Sequence, residues 1–143
     1  MARSGRAPGL PWLFLDRSLG GRQVPDRLRR EGLPVITLAD VYGVPADQDV
    51  ADTTWLARAG AEGWIVLMKD ERIRYRAVET TALRRYGVRA FCLANGNLRA
   101  QAMADLFLSV MDDIVDLSTR PGPFLYVVST RGLRAVDLGE GPD

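Results

Sequence analysis

Short apolar runs alternate with helix-like stretches along most of the chain, and this alternation limits the possible folds more than any other feature. Each run has the length of a strand that is buried on both faces. Strands separated by helices are typical of βαβ units, in which helices cover both faces of a parallel sheet. We therefore predict a three-layer α/β/α sandwich with a mainly parallel central sheet and a short hairpin at its C-terminal edge. The predicted strands are 12–15, 34–38, 64–68, 88–93, 124–128 and 133–136.

The pattern predicts a single domain over residues 12–138. Residues 1–11 contain Gly, Pro, Ser and two arginines, and we expect a flexible basic arm there. Residues 139–143 are predicted to form a disordered tail. Because no apolar run is long enough to cross a membrane and no signal peptide is recognisable, a cytoplasmic location is expected.

The longest predicted helix, about 98–117, has one apolar arc. Three acids lie on its opposite face, which we expect to be solvated: Asp105, Asp112 and Asp116. The arc could pack on the sheet or on a second subunit, so a homodimer is left open.

Missing residue types narrow the chemistry that the chain can perform. Its 143 residues include no histidine and one cysteine, Cys92, which lies in an apolar run and is predicted to be core. Histidine-based catalytic triads, zinc sites that need histidine and intramolecular disulfides are therefore excluded. The groups left for catalysis are carboxylates, arginines, hydroxyls and the single lysine, Lys69. The net charge of +1 neither favours nor excludes a nucleic-acid partner.

Aspartates stand where the first three predicted strands end. Asp16, Asp40 and Asp70 follow these strands, and Asp52 opens the helix before the third strand. Since the carboxyl ends of parallel strands share one edge, the four carboxylates are expected to converge there. Such a cluster repels itself unless a cation neutralises it, and oxygen ligands without His or Cys favour Mg²⁺ or Mn²⁺. This arrangement suits metal-assisted hydrolysis of phosphodiester bonds.

Each of these aspartates also has a structural interpretation. Asp16 could cap a turn, and Asp52 has the position of a helix N-cap. Asp70 lies in a charge run that could be a solvated surface, and the loop after Asp40 could point in any direction. Two further acids compete for a place in the cluster, Asp47 and Asp49.

Arginines follow the third strand closely. Arg72 and Arg74 come directly after Asp70, and beside an acidic cluster they could bind the phosphates of a polyanion. The alternative is an exposed helix face with ordinary salt bridges.

Four segments together resemble the PIN-like ribonucleases of the VapC type, the toxins of toxin–antitoxin pairs. They are Phe-Leu-Asp-Arg-Ser-Leu-Gly at 14–20, Thr-Leu-Ala-Asp-Val-Tyr-Gly at 37–43, Val-Ala-Asp-Thr-Thr-Trp-Leu at 50–56 and Gly-Trp-Ile-Val-Leu-Met-Lys-Asp-Glu-Arg-Ile-Arg at 63–74. The last contains the signature Lys-Asp-x-Arg-Ile-Arg. The resemblance extends over about 12–138, although its motifs end near Arg76.

The resemblance implies an acidic cluster that binds Mg²⁺ or Mn²⁺ and cleaves RNA, and a small cognate antitoxin as partner. The family's acidic positions correspond to Asp16, Asp40, Asp52 and Asp70. Two residues depart from the family pattern: Asp40 stands where glutamate is frequent, and Met68 where a hydroxyl residue is common.

The leading hypothesis is a metal-dependent endoribonuclease. In it, Asp16, Asp52 and Asp70 hold the metal, and Asp40 completes the site or orients water. The RNA phosphates are positioned by Arg72, Arg74 and Lys69. A catalytically inactive PIN-like module that binds RNA or protein is the main alternative. A phospho-acceptor receiver domain fits poorly. Such a domain needs paired acids after the first strand and a lysine on a late strand, and this chain has neither.

Overall fold

The computed structural model of the chain describes residues 9–69, 77–94 and 98–139, and these contain one sheet of six strands. The strands are β1 (Leu13–Leu15), β2 (Val35–Thr37), β3 (Ile65–Met68), β4 (Arg89–Leu93), β5 (Phe124–Ser129) and β6 (Gly132–Val136). They lie in the order β2-β1-β3-β4-β5-β6. Strands β1 to β5 are parallel, and β6 pairs antiparallel with β5 at the edge. The predicted mainly parallel sheet and its edge hairpin are confirmed.

Helices cover both faces of this sheet. They are α1 (Gln23–Arg30), α2 (Leu38–Tyr42), α3 (Asp52–Glu62), α4 (Ala77–Tyr86), α5 (Ala100–Ser109) and α6 (Met111–Leu117), with short 3₁₀ turns at Arg17–Leu19 and Ala46–Asp49. In the described ranges, no helix combines the length and apolarity that a membrane span requires. Most of the predicted N-terminal arm and C-terminal tail lies outside the described residues.

The sheet has a hydrophobic core on each face, and alternate residues along the strands pack into one core or the other. On β1, Leu13 and Leu15 pack with α1, α5 and α6, whereas Phe14 packs with α3 and α4. The same alternation places Cys92 of β4 in the second core, where it is buried as predicted. All three β1 residues are at most 2% exposed, because helices cover this central strand on both sides. The three-layer α/β/α sandwich is thus confirmed.

The helix predicted over about 98–117 is broken into α5 and α6. Val110 leaves the helical conformation (φ −114°, ψ 12°) between them. Just before the break, the Ser109 hydroxyl donates a 2.6 Å hydrogen bond to the carbonyl of Leu106. A serine that bonds back to its own helix competes with the backbone and bends helices, which is the physical reason for the difference.

The apolar arc of α5 and α6 nevertheless packs on the sheet. Its buried members are Met103, Phe107, Val110, Met111 and Ile114. The opposing acids are exposed as predicted, and Asp105 forms a 3.0 Å ion pair with Arg27 of α1. These buried residues of the arc are therefore core.

The region 40–50, predicted as a loop, contains the end of α2 and the 3₁₀ turn at Ala46–Asp49. The backbone N–H of Asp40 donates to Thr37 Oγ1 (3.2 Å), and the N–H of Thr37 donates to Asp40 Oδ2 (2.9 Å). These reciprocal bonds form a capping box, which starts α2 directly after β2. The loop prediction was wrong because this spacing of Thr and Asp is itself a signal for the start of a helix.

Gly60 lets α3 approach the end of α4 closely. A β-carbon at this position would overlap the carbonyl oxygen of Tyr86. The approach fixes α3, and with it the position of Asp52 at the other end of the helix.

Replacing Gly60 with alanine is therefore expected to lower the free energy of unfolding. Alanine favours a helix interior over glycine by about 1 kcal/mol, but overpacking costs about 1–3 kcal/mol, and a backbone carbonyl cannot move aside easily. Urea denaturation of Gly60→Ala measures the net effect, which we expect to be destabilising. The control is Gly21→Ala, whose added β-carbon would meet nothing within 4 Å. A Gly60→Ala protein as stable as the wild type would contradict the close approach.

Candidate metal-binding site

The ends of β1 and β3 flank the topological switch point of the sheet, where the strand order reverses. From β1 the chain first moves to β2 on one side, and then crosses to β3 on the other. In open α/β sheets, ligands bind in the crevice outside the carboxyl ends of the strands at such a point. Asp16 follows β1 directly, and Lys69 follows β3.

Hydrogen bonds hold the Asp16 carboxylate at this edge. The backbone N–H of Asp16 donates to the carbonyl of Leu67 on β3 (3.0 Å). The Ser18 hydroxyl donates to Asp16 Oδ2 (2.7 Å) and accepts from the N–H of Lys69 (3.3 Å). Ser18 thus connects the residue after β1 to the residue after β3, and it orients the carboxylate between them.

Asp52 reaches the same edge from α3. It is the first residue of the helix, after Ala51 at the N-cap, so the N-cap position suggested by the sequence is off by one residue. Its Oδ1 accepts a 3.0 Å hydrogen bond from the indole N–H of Trp55. The buried Trp55 ring stacks on Phe14 of β1, with ring centroids 5.3 Å apart. This packing brings the start of α3 to the end of β1.

Asp40 has different partners. Its Oδ2 accepts from the Thr37 N–H in the capping box and forms a 2.9 Å ion pair with Arg29 of α1. Asp40 is exposed. These contacts are those of a residue that stabilises α2 and joins it to α1.

The 3₁₀ turn at Ala46–Asp49 is attached to the site by Arg17. One guanidinium nitrogen of Arg17, Nη2, donates to the carbonyl oxygens of Asp47 (3.0 Å) and Val50 (2.8 Å). Asp47 is partly buried, while Asp49 is exposed. Arg17 therefore holds the segment that leads into Asp52 against the end of β1.

The remaining predicted residues lie in 70–76, outside the described residues: Asp70, Arg72 and Arg74. Within the part of the chain that is described, no three acidic or cysteine side chains form a group able to hold a metal ion. Lys69 is described, and it lines a cleft of about 400 Å³ together with Arg17 and Arg22.

Comparison with known proteins identifies the family. The family described as "PIN like domain" matches residues 11–95, which include β1 to β4 and the site. The chain belongs to the PIN-like domain family. It is also 37% identical over 119 residues to the Mycobacterium tuberculosis protein named "Putative ribonuclease VapC45", a match that spans 83% of this chain and 86% of that protein. The PIN-like domain is thus of the VapC type, as the sequence motifs predicted. The comparison with solved structures found no significant match.

The electrostatics of this PIN-like domain favour a cation between Asp16 and Asp52. Burial raises the pKa of Asp16, and the negative charge of Asp52 raises it further, against the opposing effect of the Ser18 hydrogen bond. The fold therefore keeps the partly desolvated carboxyl group of Asp16 within the electrostatic influence of a second acid. Carboxylate oxygens are the ligands that Mg²⁺ and Mn²⁺ prefer, so the donor set fits such an ion.

Three residues that support the site were missed from the sequence. Ser18 follows Asp16 at the spacing of a local side-chain turn, and Trp55 follows Asp52 at i+3, on the same face of a helix; both spacings are readable signals. Arg17 contacts Asp47 and Val50, which lie 30 and 33 positions further along the chain, and no local pattern indicates such contacts.

Replacement of Asp16 by asparagine is expected to stabilise the metal-free protein at neutral pH. The folded-state pKa of Asp16 lies above its ordinary value of 3.8, so the ionised form is disfavoured by folding. The ionised Asp16 lowers the free energy of unfolding. This loss is absent below about pH 3.8 and complete above the folded-state pKa. In EDTA, the gain in unfolding free energy of Asp16→Asn over wild type should be largest near pH 7 and shrink towards pH 4.

Chemical denaturation at both pH values measures this difference. The exposed Asp112→Asn variant on α6 serves as control and should show little change at either pH. An Asp16→Asn protein that is less stable than wild type at pH 7 would mean that the carboxylate is stabilised by its neighbours, contrary to this account.

Proposed function

We propose that this PIN-like domain is a metal-dependent endoribonuclease and the toxin of a VapC-type toxin–antitoxin pair. The observation that carries the proposal is the partly buried Asp16, which lies near Asp52 at the topological switch point of the sheet. The 37% identity to a protein named as a ribonuclease supports RNA as the substrate.

The proposed ligands of Mg²⁺ or Mn²⁺ are Asp16, Asp52 and Asp70. Asp70 is the next residue after Lys69, whose N–H bonds to the hydroxyl that orients Asp16. For Asp40 we propose a supporting role, because Thr37 and Arg29 already bond to its Oδ2.

Each described part of the site has a defined task in this proposal. Ser18 and Trp55 hold the Asp16 and Asp52 carboxylates in fixed orientations, which reduces the reorganisation needed when an ion binds. A bound divalent ion would supply Lewis-acid activation of water and neutralise charge on the phosphate. Asp16 accepts the hydrogen bond from the Ser18 hydroxyl, which fixes the direction of its carboxylate.

Lys69, Arg72 and Arg74 are proposed to bind the RNA phosphates. The cleft beside Lys69 supports this, since Arg17 and Arg22 also line it. Three cationic side chains around one cleft match the charge of a polynucleotide backbone.

The proposed partner is a small cognate antitoxin that suppresses the activity, and the proposed place of action is the cytoplasm. The VapC-type relationship supports both. Co-expression with the protein encoded beside this chain, followed by a cleavage assay, tests the partnership directly.

The catalytic proposal predicts that Asp16→Asn and Asp70→Asn each lower RNA cleavage by at least about 100-fold, because each removes a charged ligand of the ion. Cleavage of a fluorescent RNA is measured with Mg²⁺ or Mn²⁺, and with EDTA, which should abolish it in the wild type. Asp112→Asn, on the exposed face of α6, should cleave at the wild-type rate.

One result would reject the proposed set of metal ligands, and another would reject the ribonuclease activity. Full cleavage by a folded Asp70→Asn protein would remove Asp70 from the site. A wild-type protein that binds RNA but cleaves it with neither metal would favour the inactive binding module instead, and divalent ions should then fail to raise its melting temperature.

A further inference from the structure

Arg17 borders the cleft beside Lys69 and also holds the 3₁₀ turn that precedes Asp52. It follows the proposed ligand Asp16 directly in the chain. One of its two acceptors is the carbonyl of Val50, which is separated from the other proposed ligand, Asp52, by a single residue. One side chain therefore joins the segments that carry both ligands.

The 3₁₀ turn needs this support, because it contains an unpaired buried atom. Asp47 Oδ1 is buried and has no hydrogen-bond partner among the described residues. Leaving a buried polar atom unpaired costs free energy. The bonds from Arg17 Nη2 to the carbonyls of Asp47 (3.0 Å) and Val50 (2.8 Å) offset this cost. Without them, we expect the turn to shift until the carboxylate reaches water, and Asp52 to lose its fixed place.

The rest of the Arg17 guanidinium is available to an anion. Both carbonyls of the turn accept from Nη2, and in the described ranges the N–H groups of Nε and Nη1 donate to no acceptor. Arg17 is exposed, and it lines the cleft together with Lys69 and Arg22. A guanidinium that is held at one nitrogen and open at the others is preorganised to bind a phosphate oxygen.

We propose that Arg17 binds a phosphate of the RNA in this cleft and, through the turn, keeps Asp52 in its metal-binding position, so that RNA and the metal ion bind cooperatively. The inference rests on the ribonuclease function proposed above. A phosphate that immobilises the guanidinium also strengthens its hold on the turn, and an ion that fixes Asp52 keeps the guanidinium in place for the phosphate. Each ligand then raises the affinity for the other by the same factor.

Arg22 offers a matched comparison in the same cleft. It is exposed and carries the same charge, but among the described residues no hydrogen bond joins it to the turn. It can attract RNA without acting on Asp52. Comparing the two arginines therefore separates the effect of charge in the cleft from the effect of the contact with the turn.

The test measures Mn²⁺ binding from the EPR signal of the free ion, without and with saturating 2′-O-methyl pentauridine, whose integrity is checked by electrophoresis after each titration. In the wild type, the oligomer should lower the dissociation constant of Mn²⁺ by about fivefold or more. Arg17→Lys keeps the charge but replaces the planar fork by a single ammonium. Without the oligomer it should weaken Mn²⁺ binding by about 10- to 100-fold, as loss of a group that supports metal ligands typically does. It should also abolish the enhancement by the oligomer, whereas Arg22→Lys should match the wild type in both measurements.

A second measurement needs no variant of the protein. Hydrogen exchange of the wild type is followed by mass spectrometry in EDTA, without and with the oligomer. The bound oligomer should slow the exchange of backbone N–H groups in 46–50, because a phosphate on Arg17 holds the turn more firmly. Unchanged exchange in these residues, with the oligomer shown by anisotropy to be bound, would contradict the inference. This keeps the inference testable if Arg17→Lys does not fold.

The outcomes separate this inference from the proposed function. An enhancement that depends on Arg17, in a protein that never cleaves RNA with metal, would support the inference and reject the ribonuclease. Metal-dependent cleavage by the wild type, with Mn²⁺ binding and its enhancement unchanged in Arg17→Lys, would reject the inference and keep the ribonuclease. Weaker Mn²⁺ binding by Arg17→Lys with an unchanged enhancement would overturn the phosphate contact, because it would indicate a purely structural role for Arg17.

Discussion

The stacking of Trp55 on Phe14 is the interaction on which the site depends. Phe14 lies at the centre of the sheet with no exposed surface, and its ring also stacks on Trp64 at 5.4 Å. Through Trp55, the same contact fixes the first turn of α3 against β1, and the indole N–H then bonds to Asp52. Core packing and the orientation of a proposed ligand are thus joined in a single side chain.

This packing stabilises the fold and so offsets the unfavourable free energy of holding the two carboxylates close together. Burial and the charge of Asp52 both disfavour the ionised form of Asp16, so the protein without metal maintains an electrostatic strain at the end of β1. The surrounding aromatic and aliphatic core keeps the strain in place, since the carboxylates cannot separate without unpacking α3. A divalent cation would relieve it, and binding would therefore stabilise the fold.

Much of the fold could be predicted from local patterns. The apolar runs indicated every strand and the parallel sheet, and the aspartate after the first run indicated the edge at which we propose that the chemistry takes place. The errors arose where a side chain competes with the backbone: the Thr37–Asp40 capping box created α2, and the hydroxyl of Ser109 broke the long helix. Contacts made across the fold, such as those of Arg17 with the turn before Asp52, could not be predicted, because their geometry exists only once the sheet has formed. For the candidate site, the sequence located Asp16 and Asp52 but not the residues that orient them.

The central claim is that Asp16 and Asp52 are held together as ligands of one divalent ion. The most direct measurement is an anomalous difference map from crystals of the protein grown with Mn²⁺. The account predicts a peak at bonding distance from carboxylate oxygens of both residues, and its absence from crystals of Asp16→Asn. A manganese peak bound elsewhere, with Asp16 and Asp52 uncoordinated, would contradict it.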